Sequence, residues 1–424
     1  FMDMYKSLSR RRIGLLLLVP FLYILVISVL LPILSKGVLS WKSLFVMFTD
    51  IRVQIAFLPA VIIPIIISVR VYFLSRYNIY MLEKVYEKAV TRRRHAYTSG
   101  IKKETSFDAT VISLGNITVG GTGKTPMAVF LTKEIRRMGY TVAVLSSGYR
   151  SQAEKAGAIV SDGNNVLLTP AEAGDEAVLL ARSLPGVPVL SGRRRTETGH
   201  IAVDEFHPDV ILMDDAFQHW QVKRELDIVL INAANPVGNG HLLPRGILRE
   251  PLDELERAGL FIITKADEAD RDEVEKIYSL LRYYNESAPI AEAEHQPKWC
   301  VPYAQWLKGE ISAEGLEEDS KVVALSALGS PDSFEETLEE AEYEVVRSLR
   351  FDDHHVYTER DLREASSLAT AQRAVVVTTE KDAVKLSPSM VESMSVPLYV
   401  LGIEIEITAG EEEVKRVLKR VLGG

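Results

Sequence analysis

"SLGNITVGGTGKTPMAVFL", residues 113–131, is the stretch from which the rest of the chain is read. It belongs to an apolar run, "ATVISLGN" at 109–116, that ends in a glycine-rich turn. A segment with helical spacing follows, from about Lys124 to Met138. Strand, glycine turn and helix together bring backbone N–H groups and a helix N-terminus to bear on a phosphate. Gly120, Gly121 and Gly123 remove the Cβ atoms that would crowd such a ligand. Lys124 offers a point charge to the β- and γ-phosphates, and Thr125 a hydroxyl to Mg2+. The strict pattern G-x-x-x-x-G-K-[ST] wants glycine at position 118, and this chain has threonine there. Three glycines, the Lys-Thr pair and the strand–turn–helix context remain. Thr118, Gly120, Gly121, Thr122, Gly123, Lys124 and Thr125 are therefore expected to cradle a nucleotide triphosphate.

Beyond this loop, short apolar runs alternate with amphipathic segments. "YTVAVLSS" (140–147), "GVPVLSG" (186–192), "DVILMDD" (209–215), "LDIVLIN" (226–232) and "LFIITK" (260–265) read as strands. Such alternation predicts an α/β fold with a parallel sheet covered on both faces. Residues 286–318 are less regular and read as an extended ribbon. A second set of strands, at 321–328, 343–351, 373–380 and 396–405, ends in a helix at 410–422. The expected organisation is a P-loop lobe over 105–318, with the ribbon near its end, and a smaller α/β lobe over 319–424.

The N-terminal part differs in kind. Residues 13–34 are 22 positions without a charge, enough to span a bilayer core. Residues 53–69 form a second apolar segment near the lower limit for a span. The first is longer than a signal-peptide core, and no small-residue cleavage site follows it. Residues 1–104 carry 16 Lys/Arg against 5 Asp/Glu, and the remainder carries 33 against 53. Basic residues lie before the first segment (Arg10, Arg11, Arg12) and after the second (Arg70, Arg76, Lys84, Lys88, Arg92, Arg93, Arg94). This predicts N-terminal membrane helices as a hairpin over 1–70, with both ends on the cytoplasmic side. A basic amphipathic linker helix over 71–104 would then lie on anionic lipid. The acidic body excludes nucleic acid as the natural partner. The first residue is Phe1, so further residues upstream are expected. A single cysteine, Cys300, excludes an internal disulfide and reads as packing beside Trp299.

Other motifs supply chemistry. Asp214 and Asp215 end an apolar strand, where a carboxylate holds Mg2+ beside a phosphate loop. Gln218 and His219 follow at the same edge. Asp175 and Glu176 open a helix, a position that also suits ordinary dipole compensation. Arg193, Arg194 and Arg195 follow a strand and suit an anionic substrate or a transferring phosphoryl group. Arg245 and Arg249 lie in a proline-bounded loop. "FDDHH" (351–355) fits no zinc spacing and reads as a carboxylate–imidazole relay. Lys381, in "TTEKDAVKL", suits a substrate phosphate or an ion pair.

In order, "GNITVGGTGKTP", "SSGYR", "AGDE", "DDAFQH", "GNGHLLPRGILREP", "FDDHH" and "TEKDAVK" closely resemble the tetraacyldisaccharide 4'-kinases of lipid A biosynthesis, over residues from about 111 to 386. That family's loop also has threonine at the position of Thr118. The resemblance implies two α/β/α lobes joined by a β-ribbon and anchored by the N-terminus to the inner (cytoplasmic) membrane, with the lobes facing the cytoplasm. It implies transfer of phosphate from ATP, with Mg2+, to the 4'-hydroxyl of an acylated glucosamine disaccharide 1-phosphate. No obligate protein partner is implied. Carried over residue by residue, Lys124 and Thr125 match the phosphate-loop pair and Asp175 the general base, with His354 its partner. Glu176 matches an acidic residue near the metal, and Asp214 and Asp215 the strand-end pair. Arg249 and one of Arg193, Arg194 and Arg195 match residues implicated in phosphate or substrate contact. Ala216 stands where many members have glycine, and two apolar segments stand where members usually have one.

A membrane-tethered partitioning NTPase shares a similar loop. It would carry a second lysine early in that loop, where this chain has "NITV". A degenerate lipid-binding scaffold is opposed by the intact Lys124, Thr125 and Asp215.

Overall fold

The computed structural model describes residues 51–149, 151–311 and 315–423. The apolar run at the head of the quoted stretch is strand β1 (Thr110–Asn116), buried at every residue after the first. It is followed in the chain by β2 (Val142–Ser146), β3 (Ala158–Asp162), β4 (Pro188–Ser191), β5 (Val210–Met213) and β6 (Leu226–Asn232). Then come β7 (Leu260–Thr264), β8 (Ile290–Pro302), β9 (Lys321–Ser326), β10 (Glu344–Arg350), β11 (Val375–Thr379) and β12 (Leu398–Ala409). All twelve join one sheet in the order β10-β9-β11-β12-β8-β7-β6-β1-β5-β2-β4-β3. Pairing is parallel except for β3 with β4 and β8 with β12. The fold is mixed α/β with a large, mainly parallel sheet.

Alternation along the strands feeds two cores. Ile112 and Leu114 of β1 join one apolar cluster with Met127, Leu131 and Ile135 of the helix Lys124–Arg137. Val111 points the other way, to Ala143, Leu145, Ile211 and Met213. The chain reverses direction across the sheet at β1, which has β5 on one side and β6 on the other. The carboxyl ends of these strands therefore border a crevice, the usual ligand position in open α/β sheets.

One element was not read from the sequence. Strand β3 is a short antiparallel edge strand, which the chain pattern did not announce. The final helix, Glu411–Leu422, returns to the body: Val414, Val417 and Leu418 are buried, and Tyr140 donates its hydroxyl to Leu422 O at 3.0 Å.

By compactness residues 51–89 with 241–246 form one unit, and residues 90–240 with 247–423 another. In the first, a helix that runs Ile51–Thr98 carries Glu83, which is buried. Its carboxylate meets His241 Nδ1 at 3.1 Å and accepts from Arg245 Nη1 at 3.2 Å. Leu74, Tyr77, Met81, Leu82 and Val85 of this helix are exposed. The apolar segment 13–34 and Arg10, Arg11 and Arg12 lie outside the described residues. The segment 53–69 is helical in its backbone. Among the described residues no helix is long and apolar enough to cross a membrane.

The packing of the last helix gives a test. Leu418 is fully buried. Leu418→Ala is expected to lower unfolding stability by about 2–5 kcal/mol in a denaturant melt. A change below about 0.5 kcal/mol, the range of surface substitutions, would show that this helix does not belong to the core.

Candidate active site

The phosphate loop is held by the chain on either side of it. Val119 N donates to Ile247 O and Arg249 N to Ile117 O, both at 2.8 Å, and Thr118 bridges to Leu248. Residue 118 is thus short paired backbone, with its side chain buried and 3.4 Å from Asn116 Nδ2. Nothing there requires a left-handed backbone, which explains why threonine serves where the strict pattern has glycine. Gly123 does require it: its φ is +72°, and a Cβ would meet the His295 ring at 2.4 Å. The loop's carbonyls are fastened as well. Asn232 Nδ2 donates to Gly121 O and Thr264 Oγ1 to Thr122 O, each at 3.1 Å. The helix Lys124–Arg137 then starts with no side-chain cap, leaving its first N–H groups without a capping acceptor.

Asp215 follows β5 with φ +49°, a conformation that aspartate tolerates better than most residues. Arg249 Nη1 donates to both of its carboxylate oxygens, at 2.8 and 3.0 Å, and Lys124 Nζ lies 3.7 Å away. Burial opposes its ionisation, but Lys124 and Arg249 outweigh burial and hold the carboxyl below its usual range. Its neighbour Asp214 goes the opposite way. Burial first, then repulsion from Glu176 and Asp215, pushes it up to about 7. Asp214 Oδ1 is buried with no hydrogen-bond partner among the described residues.

Asp175 heads the helix Asp175–Ser183 after Gly174 and is buried. Its Oδ2 lies 3.0 Å from His354 Nδ1, a residue 179 positions later that also has positive φ. Burial would raise the Asp175 pKa. The His354 hydrogen bond and charge, with Lys381 and Lys385, overcome this and lower it. The contact continues outward: His354 Nε2 is 3.6 Å from Asp353 Oδ2, and Lys381 Nζ donates to Asp353 Oδ1 at 3.2 Å. The adjacent His355 diverges, stacking on Phe351 and reaching Asp361 at 3.1 Å, where it supports the cap of the helix Glu359–Gln372.

The three consecutive arginines separate. Arg195 is fully buried, donating to the carbonyls of Ser146 and Gly192 and, at 2.8 Å, to Asp214 O. It ties together the ends of β2, β4 and β5, and burial lowers its pKa to about 10. Arg194 is exposed and pairs with Glu197 at 2.7 Å. Arg193 is exposed, and its side chain has no ion pair among the described residues. His219 contacts Arg193 O at 3.1 Å and is kept neutral by burial, with a pKa of about 4.

Gln218, which the sequence placed at this edge, and Glu250 and Arg257, which it did not single out, lie behind Arg249. Gln218 Nε2 donates to Asn116 O at 2.9 Å and to Glu250 Oε2 at 3.3 Å, and its Oε1 lies 3.5 Å from Arg249 Nη1. Buried Glu250 accepts from Trp220 Nε1 at 3.0 Å and from Arg257 Nη2 at 2.5 Å. The Arg257 guanidinium lies 3.4 Å from the Phe217 ring centroid and 4.3 Å from that of Trp220. Glu250 follows Arg249 directly, and that adjacency was the available signal.

The chain has counterparts among known proteins. A family model described as tetraacyldisaccharide-1-P 4'-kinase matches residues 76–423. The tetraacyldisaccharide 4'-kinase of Halothermothrix orenii is 41% identical over 347 residues, 77% of this chain and 88% of that protein. That of Anaeromyxobacter sp. (strain Fw109-5) is 41% identical over 342 residues, 81% of this chain and 90% of the relative. Among solved structures, LpxK from Aquifex aeolicus in complex with ATP superposes with a TM-score of 0.64 at 27% identity, covering 82% of this chain and all but 1% of that one. The loop, the Asp175–His354 pair and the cations around Asp215 are thus set in a chain that belongs to the tetraacyldisaccharide 4'-kinase family.

Proposed function

We propose that the chain transfers the γ-phosphoryl group of ATP to the 4'-hydroxyl of a tetraacyl glucosamine disaccharide 1-phosphate, a step in lipid A biosynthesis. The observation that carries this reading is the convergence of a phosphate loop, a gripped carboxylate (Asp215) and a carboxylate–imidazole pair (Asp175–His354) beside the crevice of one sheet. Phosphoryl transfer passes through a loose transition state, so positioning and charge neutralisation supply most of the catalysis. Lys124 lies within reach of both Asp215 and an incoming phosphate, and Arg249 stays fixed on Asp215 to keep that carboxylate neutralised. Arg193 is the arginine of its run left for substrate or phosphoryl oxygens. Asp175, held ionised at neutral pH, accepts the hydroxyl proton at Oδ1 or Oδ2 while His354 orients it.

The residues present fit a divalent ion. Glu176 and Asp215 repel the Asp214 carboxylate, Asp214 Oδ1 has no hydrogen-bond partner among the described residues, and Thr125 stands in the first helical turn. Among the described residues no three carboxylate, histidine or cysteine side chains cluster closely enough to hold a metal. Mg2+ takes one or two carboxylates and completes its shell with phosphate oxygens and water. Asp214, Glu176 and Thr125 would hold it. Asp215 belongs to the same constellation, with both oxygens already accepting from Arg249. When bound, Mg2+ supplies neutralisation of the β- and γ-phosphate charge.

We further infer that the protein works at the inner membrane with its lobes toward the cytoplasm, in contact with membrane lipids. The charge pattern of residues 1–104 and the exposed Leu74, Tyr77, Met81, Leu82 and Val85 support this.

Asp175→Asn is expected to lower kcat by about a hundred- to ten-thousand-fold while the ATP Kd stays within threefold. Near-normal turnover on the lipid disaccharide would remove Asp175 from the role of base. Arg193→Ala is expected to lose roughly ten- to hundredfold in kcat/KM, with Arg194→Ala within twofold; the reverse ranking would assign the phosphate contact to Arg194. Removal of residues 1–69 should leave ATP affinity unchanged but reduce turnover on vesicle-embedded substrate, and equal turnover with and without them would count against membrane placement.

A further inference from the structure

Of the groups assigned to phosphoryl transfer, Asp175, between β3 and β4, and Asp214 and Asp215, after β5, lie on the β5 side of β1. The buried Arg195 joins the ends of β2, β4 and β5. On the other side of β1 lie β6, β7 and β8, in that order. The ends of β6 and β7 touch the phosphate loop through Asn232 and Thr264, and β8 does so midway along its length, through His295. A triphosphate with its γ end toward Asp215 and Asp175 therefore extends its nucleoside toward β6, β7 and β8.

His295 is placed to meet it. The parallel pairing of β7 with β8 stops at Thr264 and Ala293, so His295 continues past the sheet edge at the level of the loop that starts with Lys265. It is paired with Ile405 in the antiparallel stretch between β8 and β12. Its ring lies against Gly123, filling the space that a side chain at 123 would need: a Cβ there would be 2.4 Å from Nε2 and 2.7 Å from Cε1. Nε2 is buried and has no hydrogen-bond partner among the described residues. Burial lowers its pKa to about 4, and the charges acting on it are Lys265 and Glu268. The ring is therefore neutral at physiological pH and offers Nε2 for one hydrogen bond. A buried polar atom left unpaired costs about 1–3 kcal/mol, and a bound ligand that pairs it recovers that cost. The neighbouring Lys265 is turned away, its Nζ bound to Glu268 and, at 2.8 Å, to Ser333 Oγ.

We propose that His295 is a nucleoside-contact residue, whose Nε2 hydrogen-bonds the ribose or base of the nucleotide held by the phosphate loop. This rests on the reading of residues 118–125 as an ATP site. It assigns the nucleoside a position over the ends of β6 and β7 and the middle of β8, and it makes the β8–β12 ribbon part of the nucleotide site.

The test uses calorimetric binding of two probes, ATP and inorganic tripolyphosphate, each with Mg2+. The full chain is compared with its His295→Leu and His295→Gln variants. Tripolyphosphate engages the loop but has no nucleoside. The leucine variant is expected to weaken ATP about tenfold, the loss of one buried hydrogen bond, and to bind tripolyphosphate within twofold of the parent. It should melt no earlier than the parent without ligand, since it removes an unpaired polar atom. Glutamine, which restores a polar atom, should keep ATP within about threefold. Where leucine packs badly and melts early, His295→Phe keeps a ring over Gly123 and gives the same comparison. Equal weakening of both probes would mean that His295 only shapes the loop, and would overturn the proposal. Unchanged ATP affinity in the leucine or phenylalanine variant would overturn it too. A parent chain that binds neither probe would overturn this proposal and the ATP-site reading together, which a loss confined to the variants would not.

Discussion

One carboxylate organises the site: Asp215, held on both oxygens by Arg249 and approached by Lys124 at 3.7 Å. It stands at the end of β5, Lys124 opens the helix after the phosphate loop, and Arg249 belongs to the segment whose backbone pairs with that loop. The same three residues thus link strand, loop and bracing segment. Their charges would not coexist stably if one were removed, because a buried or half-buried charge without its partner is costly. Behind Arg249 lies a second polar layer. Gln218 reaches Glu250, Glu250 accepts from Arg257, and the Arg257 guanidinium lies against the rings of Phe217 and Trp220. Lys124 lies farther from Asp215 than Arg249 does, as the proposed role of leaving the carboxylate for a phosphate requires.

The two strand-end aspartates show how position outweighs residue type. Asp214 and Asp215 are adjacent in the chain and share a sheet edge. Two cations hold Asp215 ionised, while burial and two neighbouring carboxylates raise Asp214 to about 7. A cation placed beside Asp214 and Glu176 reverses that balance. On the proposed reading the pair divides its work: one carboxylate is fixed within the protein, and the other is left for an ion that arrives with the nucleotide.

Much of this was legible in the sequence, for identifiable reasons. Buried parallel strands read as apolar runs, so β1, β6 and β11 stood out. The phosphate loop is local chemistry, with glycines and the Lys-Thr pair contiguous. Asp175 and His354 could be paired only through family resemblance, because 179 positions separate them and no local pattern predicts a contact made by folding. The run 193–195 could not be resolved from its letters, since burial alone distinguishes Arg195, consumed by backbone carbonyls, from its exposed neighbours. Strand β3 was missed because a short edge strand carries little apolar signal. His295 was missed for another reason: a lone histidine in a polar strand has no spacing to advertise it, and only its approach to Gly123 gives it meaning.

The central claim is that these charges assemble to hand a phosphoryl group to a lipid-borne sugar. Mass analysis of the lipid after incubation of the purified chain with ATP, Mg2+ and a tetraacyl disaccharide 1-phosphate tests it most directly. The account predicts a product heavier by one phosphate, formed in step with ADP. ATP hydrolysis with the lipid mass unchanged would contradict it.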